Sequence, residues 1–403
     1  MSIRSCLKPP AFNCWFSGIA LTVWAGVSIS CQPTSSSVTS EELVPGVKHH
    51  EIYLFQGPWS IHIIEIELPR AWKAGVRLRT AKADPALGRE KTSSMAEKAV
   101  AAINGDFFYP SGRPLGLQIR DGALLQKPHA RSAFSITPDG EPLIAVFHIK
   151  TELITVSGQV VPIEAFNRQV AHGPILYNHF AQAWQDSVHA EVGFQLQSLG
   201  KSLVINDTIA ARVLQVRRRG WPLRLGENQW LVVVGGDHLL TEHIAPGDTV
   251  QMYFGLPPAT HSLQEAIGGG PRIIRDGAIS IEYEQEYLDF SSAAERRART
   301  AIGYTHNRQI LFLVTVDGDQ PGYSVGMSLE ELADFMVHRL ADFTAAGTNA
   351  YQALNMDGGG STTMVVRQRV INRPSDPFGE RSVGNALLVL SQDAADGASV
   401  SSF

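Results

Sequence analysis

Ala353-Leu354-Asn355-Met356-Asp357-Gly358-Gly359-Gly360-Ser361-Thr362-Thr363-Met364 is a short apolar run that breaks into three consecutive glycines and then into hydroxyls. Before it lies the clearest helix pattern in the chain, Ser328 to Ala346. Ser328 and Glu331 form a capping box there, Leu329, Leu332, Met336, Leu340 and Phe343 form one stripe, and Gly347 stops it. A weaker helix is expected over 94–101, opened by a Ser-x-x-Glu cap at Ser94 and Glu97, and it too leads into an apolar strand and an Asn-containing turn, Ala101-Ala102-Ile103-Asn104-Gly105-Asp106. A second echo pairs Gly116-Leu117-Gln118-Ile119-Arg120-Asp121-Gly122-Ala123 with Pro271-Arg272-Ile273-Ile274-Arg275-Asp276-Gly277-Ala278. Two echoes predict an internally duplicated α/β (α+β) fold, although Arg-Asp-Gly by itself is chiefly a hairpin turn signal.

Working outward, Ile61 to Ile66, Leu231 to Val234 and Ile310 to Val316 are short, β-branched and bounded by turn residues, so they read as strands. With 36 glycines and 22 prolines among 403 residues, many turns between short strands are expected, giving a mixed-sheet domain with few helices. The net charge of −5 carries no basic excess, which argues against a nucleic-acid partner.

Residues 1–30 hold Arg4 and Lys8, no acid, and an apolar run from about Phe16 to Val27, the anatomy of an export signal. Cleavage after Ser30 would leave Cys31 as the N-terminus, and the box Val27-Ser28-Ile29-Ser30-Cys31 favours lipidation of Cys31 and anchoring to a membrane. Plain secretion is the alternative. The expected divisions are a signal over 1–30, a flexible tether over 31–45, N-terminal strands over 46–98, a catalytic body over 99–390 and a tail over 391–403. Cys6, Cys14 and Cys31 all precede the body, so disulfides and thiolate zinc sites are excluded from it.

The glycine triplet lets a backbone approach a ligand and aim amides at an anion. It lacks the lysine of a Walker loop and the second glycine of a nucleophile elbow. Asn104-Gly105-Asp106-Phe107-Phe108-Tyr109 sets a polar turn against an aromatic wall of the kind sugars favour. Arg299-Thr300 suits a phosphodiester oxygen, and Asp317 ends its strand where a site could lie. Arg296-Arg297 and Arg217-Arg218-Arg219 read as exposed faces. Thirteen histidines give no metal-binding spacing, whereas Asp106, Asp317, Asp319 and Asp357 leave a hard-cation site, for Ca or Mg, open without requiring one.

Together these motifs resemble the phosphodiester glycosidase family over roughly 99–390. The resemblance takes in the turn at 104–108, Gly116-Leu117, Asp121-Gly122, Phe166-Asn167-Arg168, Gly269-Gly270-Pro271-Arg272, Arg299 to Gly303, Val316-Asp317-Gly318, the 355–362 loop and Arg381-Ser382-Val383-Gly384-Asn385-Ala386. It implies hydrolysis of a sugar-1-phosphodiester in a cell-envelope or environmental glycan. Asp357, Arg299, Thr300 and Asp317 would be catalytic. Asn104, Phe107, Gly269, Gly270, Asn355, Gly358, Gly359, Gly360, Ser361 and Thr362 would bind substrate. Within that assignment Asp357 is the carboxylate, Arg299 and Thr300 clamp phosphate, the glycine amides form a second clamp, and Asn104 and Asn355 hold sugar hydroxyls. Asp106 stands where the family pattern often has glycine and receives no catalytic role, and 180–248 matches nothing in it. A metal-dependent phosphodiesterase and a non-catalytic glycan-binding lipoprotein are the competing readings.

Overall fold

Ile61 to Ile66 carries isoleucine at four of its six positions, with His62 and Glu65 between them, because its strand, Trp59–Glu67, is covered on both faces. Ile61 and Ile63 pack with Phe312, Val314 and the late helix, while Ile64 and Ile66 pack with Leu311, Leu313 and Leu354. Trp59–Glu67 is the third strand of an eight-stranded sheet whose order continues through Ile310–Val316, Arg299–Tyr304, Gln352–Asn355, Arg272–Arg275 and Ala278–Ile279. All its neighbours are antiparallel. The computed structural model describes residues 36–83, 88–167, 173–181, 192–200, 205–218, 225–235, 238–286 and 290–392. These lie in one compact unit, Ser35–Phe403. The signal over 1–30, Cys31 and residues 393–403 of the tail fall outside the described residues.

The expected tether is corrected from Ser36 onward. Ser36–Val44 is an edge strand paired with Val47–Leu54, and its first seven residues are exposed, which explains why their polar composition reads as a linker. A five-stranded sheet carries Met364–Val366, Ala99–Asn104, Asn385–Ser391 and Val76–Lys82 side by side, and a second carries Ser132–Ile136, Glu265–Gly268 and Gln118–Arg120. The described part of 180–248 belongs to a separate eight-stranded sheet. Its Val192–Ser198, Asp207–Arg217 and Gln229–Val234 strands build a large apolar cluster around Phe194, Trp230 and Phe254. The architecture is an α+β domain of mixed sheets with few helices, as expected.

Both helices end sooner than their patterns predict. The capping box at Ser328 and Glu331 is present in both directions, at 3.1 and 2.9 Å. The α-turns span only Leu329–Asp334, followed by a π-turn at Phe335–Arg339 and a tight turn to Asp342. The returning chain intervenes, since the Ala350 amide takes the Met336 carbonyl at 3.0 Å and Asn349 takes the Ala341 amide at 2.8 Å. The earlier helix is one turn, Thr92–Met95, with no capping box at Ser94. Residues 99–103 are claimed instead by strand pairing on both sides, where buried ladder contacts override local helix preference. The two Arg-Asp-Gly echoes are hairpins of one kind, with positive φ at Asp121, Gly122, Asp276 and Gly277.

Candidate functional site

The two Asn-ended strands converge. Ala99–Asn104 and Gln352–Asn355 end side by side, and the Asp357 amide donates to the Gly105 carbonyl at 3.0 Å. A cleft of about 330 Å³ opens above them, lined by Phe107, Gly270, Tyr283, Arg297, Arg299, Asn355, Asp357, the three glycines 358–360 and Arg381.

Asp357 is half-buried, with one side on the cleft and the rest enclosed by its own loop. Burial pushes its carboxyl up to about 6, against the pull of the Ser361 hydroxyl, the Arg381 charge and the Gly358 amide. The carboxylate is therefore held in place by short-range donors yet remains a base of near-neutral strength. Asn355 faces the same space. Its Nδ2 donates to the Gly270 carbonyl at 2.9 Å, but its Oδ1 is buried with no hydrogen-bond partner, an acceptor suited to a ligand hydroxyl.

Arg299 is buried, and its Nε and Nη2 donate to the carbonyls of Met327, Ser292 and Glu295 at 2.7–2.9 Å. Desolvation, and then the neighbouring Arg297 charge, lower it to about 10, so it stays cationic at neutral pH. Among the described residues no carboxylate pairs with it, and Nη1 is left for a ligand. Arg381 crosses over the loop, where a side chain at Gly360 would strike its guanidinium. It is held by Asp376 at 2.6 and 3.1 Å and reaches the Ser361 hydroxyl at 3.5 Å. Arg297 lines the cleft too, paired with Glu295.

Several expected roles are corrected by this geometry. Asn104 is fully engaged, with Nδ2 donating to the Asp357 carbonyl at 2.7 Å and Oδ1 accepting from Thr300 and Thr363, so it positions the loop rather than a sugar. Thr300 is fully buried behind Asn104 and does not line the cleft, so it clamps no phosphate. Asp317 is bound by Asn372 at 3.0 Å, the Arg373 amide at 3.0 and 3.1 Å and the Tyr323 hydroxyl at 3.1 Å, away from the cleft. Asp319 is exposed, and among the described residues no three His, Cys, Asp or Glu side chains come together to hold a cation. The glycine triplet is not a nest of three free amides, because Gly359 donates to the Ala298 carbonyl at 2.7 Å. Gly269 packs against Asn355 and Met356 instead of facing ligand, and Ser361 and Thr362 are buried off the cleft, so neither hydroxyl binds substrate as expected. Phe107, Gly270, Asn355, Asp357, the three glycines and Arg299 line one cleft.

Arg381 received no role from the sequence, and Asp106 only a place among possible cation ligands. The resemblance contained Arg381, but nothing local shows that it arches over Gly360.

Residues 226–390 match the phosphodiester glycosidase family. This segment carries Asp357, Arg299, Asn355 and Arg381, while the Asn104 turn lies N-terminal to it. Among curated proteins none matches the chain. In fold it is similar to a hypothetical protein from Synechocystis, at 22% identity and a TM-score of 0.64, covering 88% of this chain and 64% of that one. The chain thus spans 64% of the length of that relative. A Burkholderia pseudomallei protein is similar at 19% identity and a TM-score of 0.62, covering 89% of this chain and 97% of that one. The zebrafish N-acetylglucosamine-1-phosphodiester alpha-N-acetylglucosaminidase catalytic domain, auto-inhibited by pro-peptide, aligns at 17% identity and a TM-score of 0.46, over 90% and 85%. The first two likenesses concern the fold alone.

Proposed function

We propose that the chain hydrolyses a sugar-1-phosphodiester, releasing a free sugar and a phosphomonoester. The observation that carries this reading is the meeting, in one cleft, of the partly desolvated Asp357 carboxylate and the buried Arg299 guanidinium. A phosphodiester is an anion joined to a ring of hydroxyls. Arg299, fixed by three carbonyls and with Nη1 to spare, meets the phosphate, aided by Arg297 and Arg381. The orphan Oδ1 of Asn355 takes a sugar hydroxyl, and Phe107 offers an apolar face to the ring.

Asp357 is the carboxylate that steadies positive charge at the anomeric carbon or activates water there. Phosphate leaves readily once its charge is met by guanidinium, so a strong general acid is not demanded of the site. Export through the signal over 1–30, with lipid on Cys31, belongs to the same proposal and would set the enzyme against cell-envelope or environmental glycans.

The test is hydrolysis of N-acetylglucosamine-1-phospho-methyl ester in oxygen-18 water. Label in the sugar supports attack at carbon, whereas label in the phosphate makes the protein a phosphodiesterase. Binding of glycan without product would favour the glycan-binding lipoprotein.

A further inference from the structure

Directly beneath the Asp357 loop lies a second carboxyl. Asp106 is 1% exposed, and its Oδ2 accepts the Gly116 amide at 2.6 Å while its own amide donates to Asn385 Oδ1 at 2.8 Å. Two glycines make the space for it. A Cβ at Gly268 would fall 2.5 Å from Oδ2, and one at Gly116 would fall 3.1 Å from it. Its other oxygen, Oδ1, is buried with no hydrogen-bond partner. An ionised carboxylate in this position would be a buried charge with half of its acceptor capacity unmet, a costly arrangement that the neutral acid avoids.

The charged groups acting on it are two. Arg131, whose guanidinium lies 5.4 Å from the Phe107 ring, favours the ionised form, and Asp357 opposes it. Burial outweighs the pull of Arg131 and of the Gly116 and Phe107 amides and, with Asp357, raises Asp106 to about 7. The two carboxyls titrate as a coupled pair, and Asp106, enclosed and with one oxygen unpartnered, keeps its proton longer than Asp357, which has one side on the cleft.

We infer that Asp106 is a proton-holding carboxyl beneath the loop, whose ionisation sets a second negative charge under the cleft and repels an anionic substrate. This inference rests on the proposed phosphodiester chemistry. Asp106 passes no proton to substrate; its proton goes to solvent as the pH rises, and the working state has Asp357 ionised and Asp106 neutral. Activity then occupies a narrow window, falling on the acid side as Asp357 protonates and on the alkaline side as Asp106 ionises.

Asp106→Asn keeps the acceptor for the Gly116 amide and removes the ionisation. The expected result is a ratio of kcat/KM at pH 8 to that at pH 6 about tenfold higher than in the unaltered protein. Arg131→Met removes the cation that favours ionisation, so the alkaline limb should move to higher pH. A carboxyl raised on folding contributes stability that is full below about pH 4 and lost as pH rises through about 7. The melting temperature of the unaltered protein should therefore fall more between pH 5 and pH 8 than that of Asp106→Asn. Glu265, also raised to about 7 by burial, contributes equally to both and cancels. An alkaline limb unchanged in Asp106→Asn, or one moved to lower pH by Arg131→Met, would overturn the inference. If no sugar-1-phosphodiester is cleaved by the unaltered protein, the substrate reading fails alone, and equal pH dependence of melting in the two chains would then overturn the role of Asp106.

Discussion

Asp317 and Asp357 look alike in sequence, each an Asp-Gly pair just past an apolar strand, and the fold treats them oppositely. Asp317 is fully buried and met by three neighbours, which it ties together: Asn372, the Arg373 amide and Tyr323. Asp357 keeps one side on a cleft, and its loop supplies only enough donors to hold it still. Saturated hydrogen bonding marks a structural carboxylate. A carboxylate with spare acceptor capacity beside an unpaired cation marks a reactive one.

The largest test of this contrast is Asp357→Asn. It should lower kcat by about 10³-fold or more, roughly 4 kcal/mol of barrier, with melting unchanged or slightly raised because the amide carries no charge to desolvate. In the unaltered protein the acid limb of activity should fall tenfold per pH unit below about 6, where Asp357 takes its proton. Retained turnover would remove Asp357 from the chemistry and end the comparison.

Asp317→Ala should do the reverse. It strands the Asn372 amide, the Arg373 amide and the Tyr323 hydroxyl, at a cost of about 3 kcal/mol in stability measured by urea unfolding. The loop following Arg373 runs on to Asp376 and Arg381, so activity should fall only as far as that wall of the cleft loosens. Loss of activity without loss of stability would make Asp317 catalytic after all.

Arg299→Lys sharpens the comparison from the cation's side. Lysine keeps the charge but cannot bind three carbonyls and still present a donor, so KM for a phosphodiester should rise about 30-fold, roughly 2 kcal/mol, with a smaller change in kcat. An unchanged KM would move the phosphate to Arg297 or Arg381.

Strands are legible where burial on both faces writes a mostly apolar, β-branched run, as in Ile310 to Val316, broken only by Thr315, and in Ile61 to Ile66, broken only by His62 and Glu65. Hairpins are legible where Asp-Gly meets the need for positive φ. The helix at Ser328 is legible at its start, since a capping box is local, and illegible at its end, which the distant Ala350 amide decides. The same divide runs through the site. Asp357 and Asn355 stand out because their loop is unusual in itself. Asn104 and Thr300 are visible as polar residues at strand ends, but their roles depend on partners more than 190 positions away. Arg381 and Asp106 gain their places only when separate strands meet, and no local pattern encodes that.

Thr300→Val is the smallest test and the most discriminating for the layer beneath the site. Valine fills the space of threonine and removes one donor, the hydroxyl that reaches Asn104 Oδ1 at 2.7 Å. That oxygen keeps the Thr363 amide at 3.1 Å, so the loss should be about 1 kcal/mol of stability. Asn104 would hold the Asp357 carbonyl less firmly, and kcat should fall a few-fold while KM stays put, because nothing that touches the substrate has changed. A large rise in KM instead would mean that Thr300 reaches the phosphate in the bound state, and that the strand Arg299–Tyr304 shifts to present it.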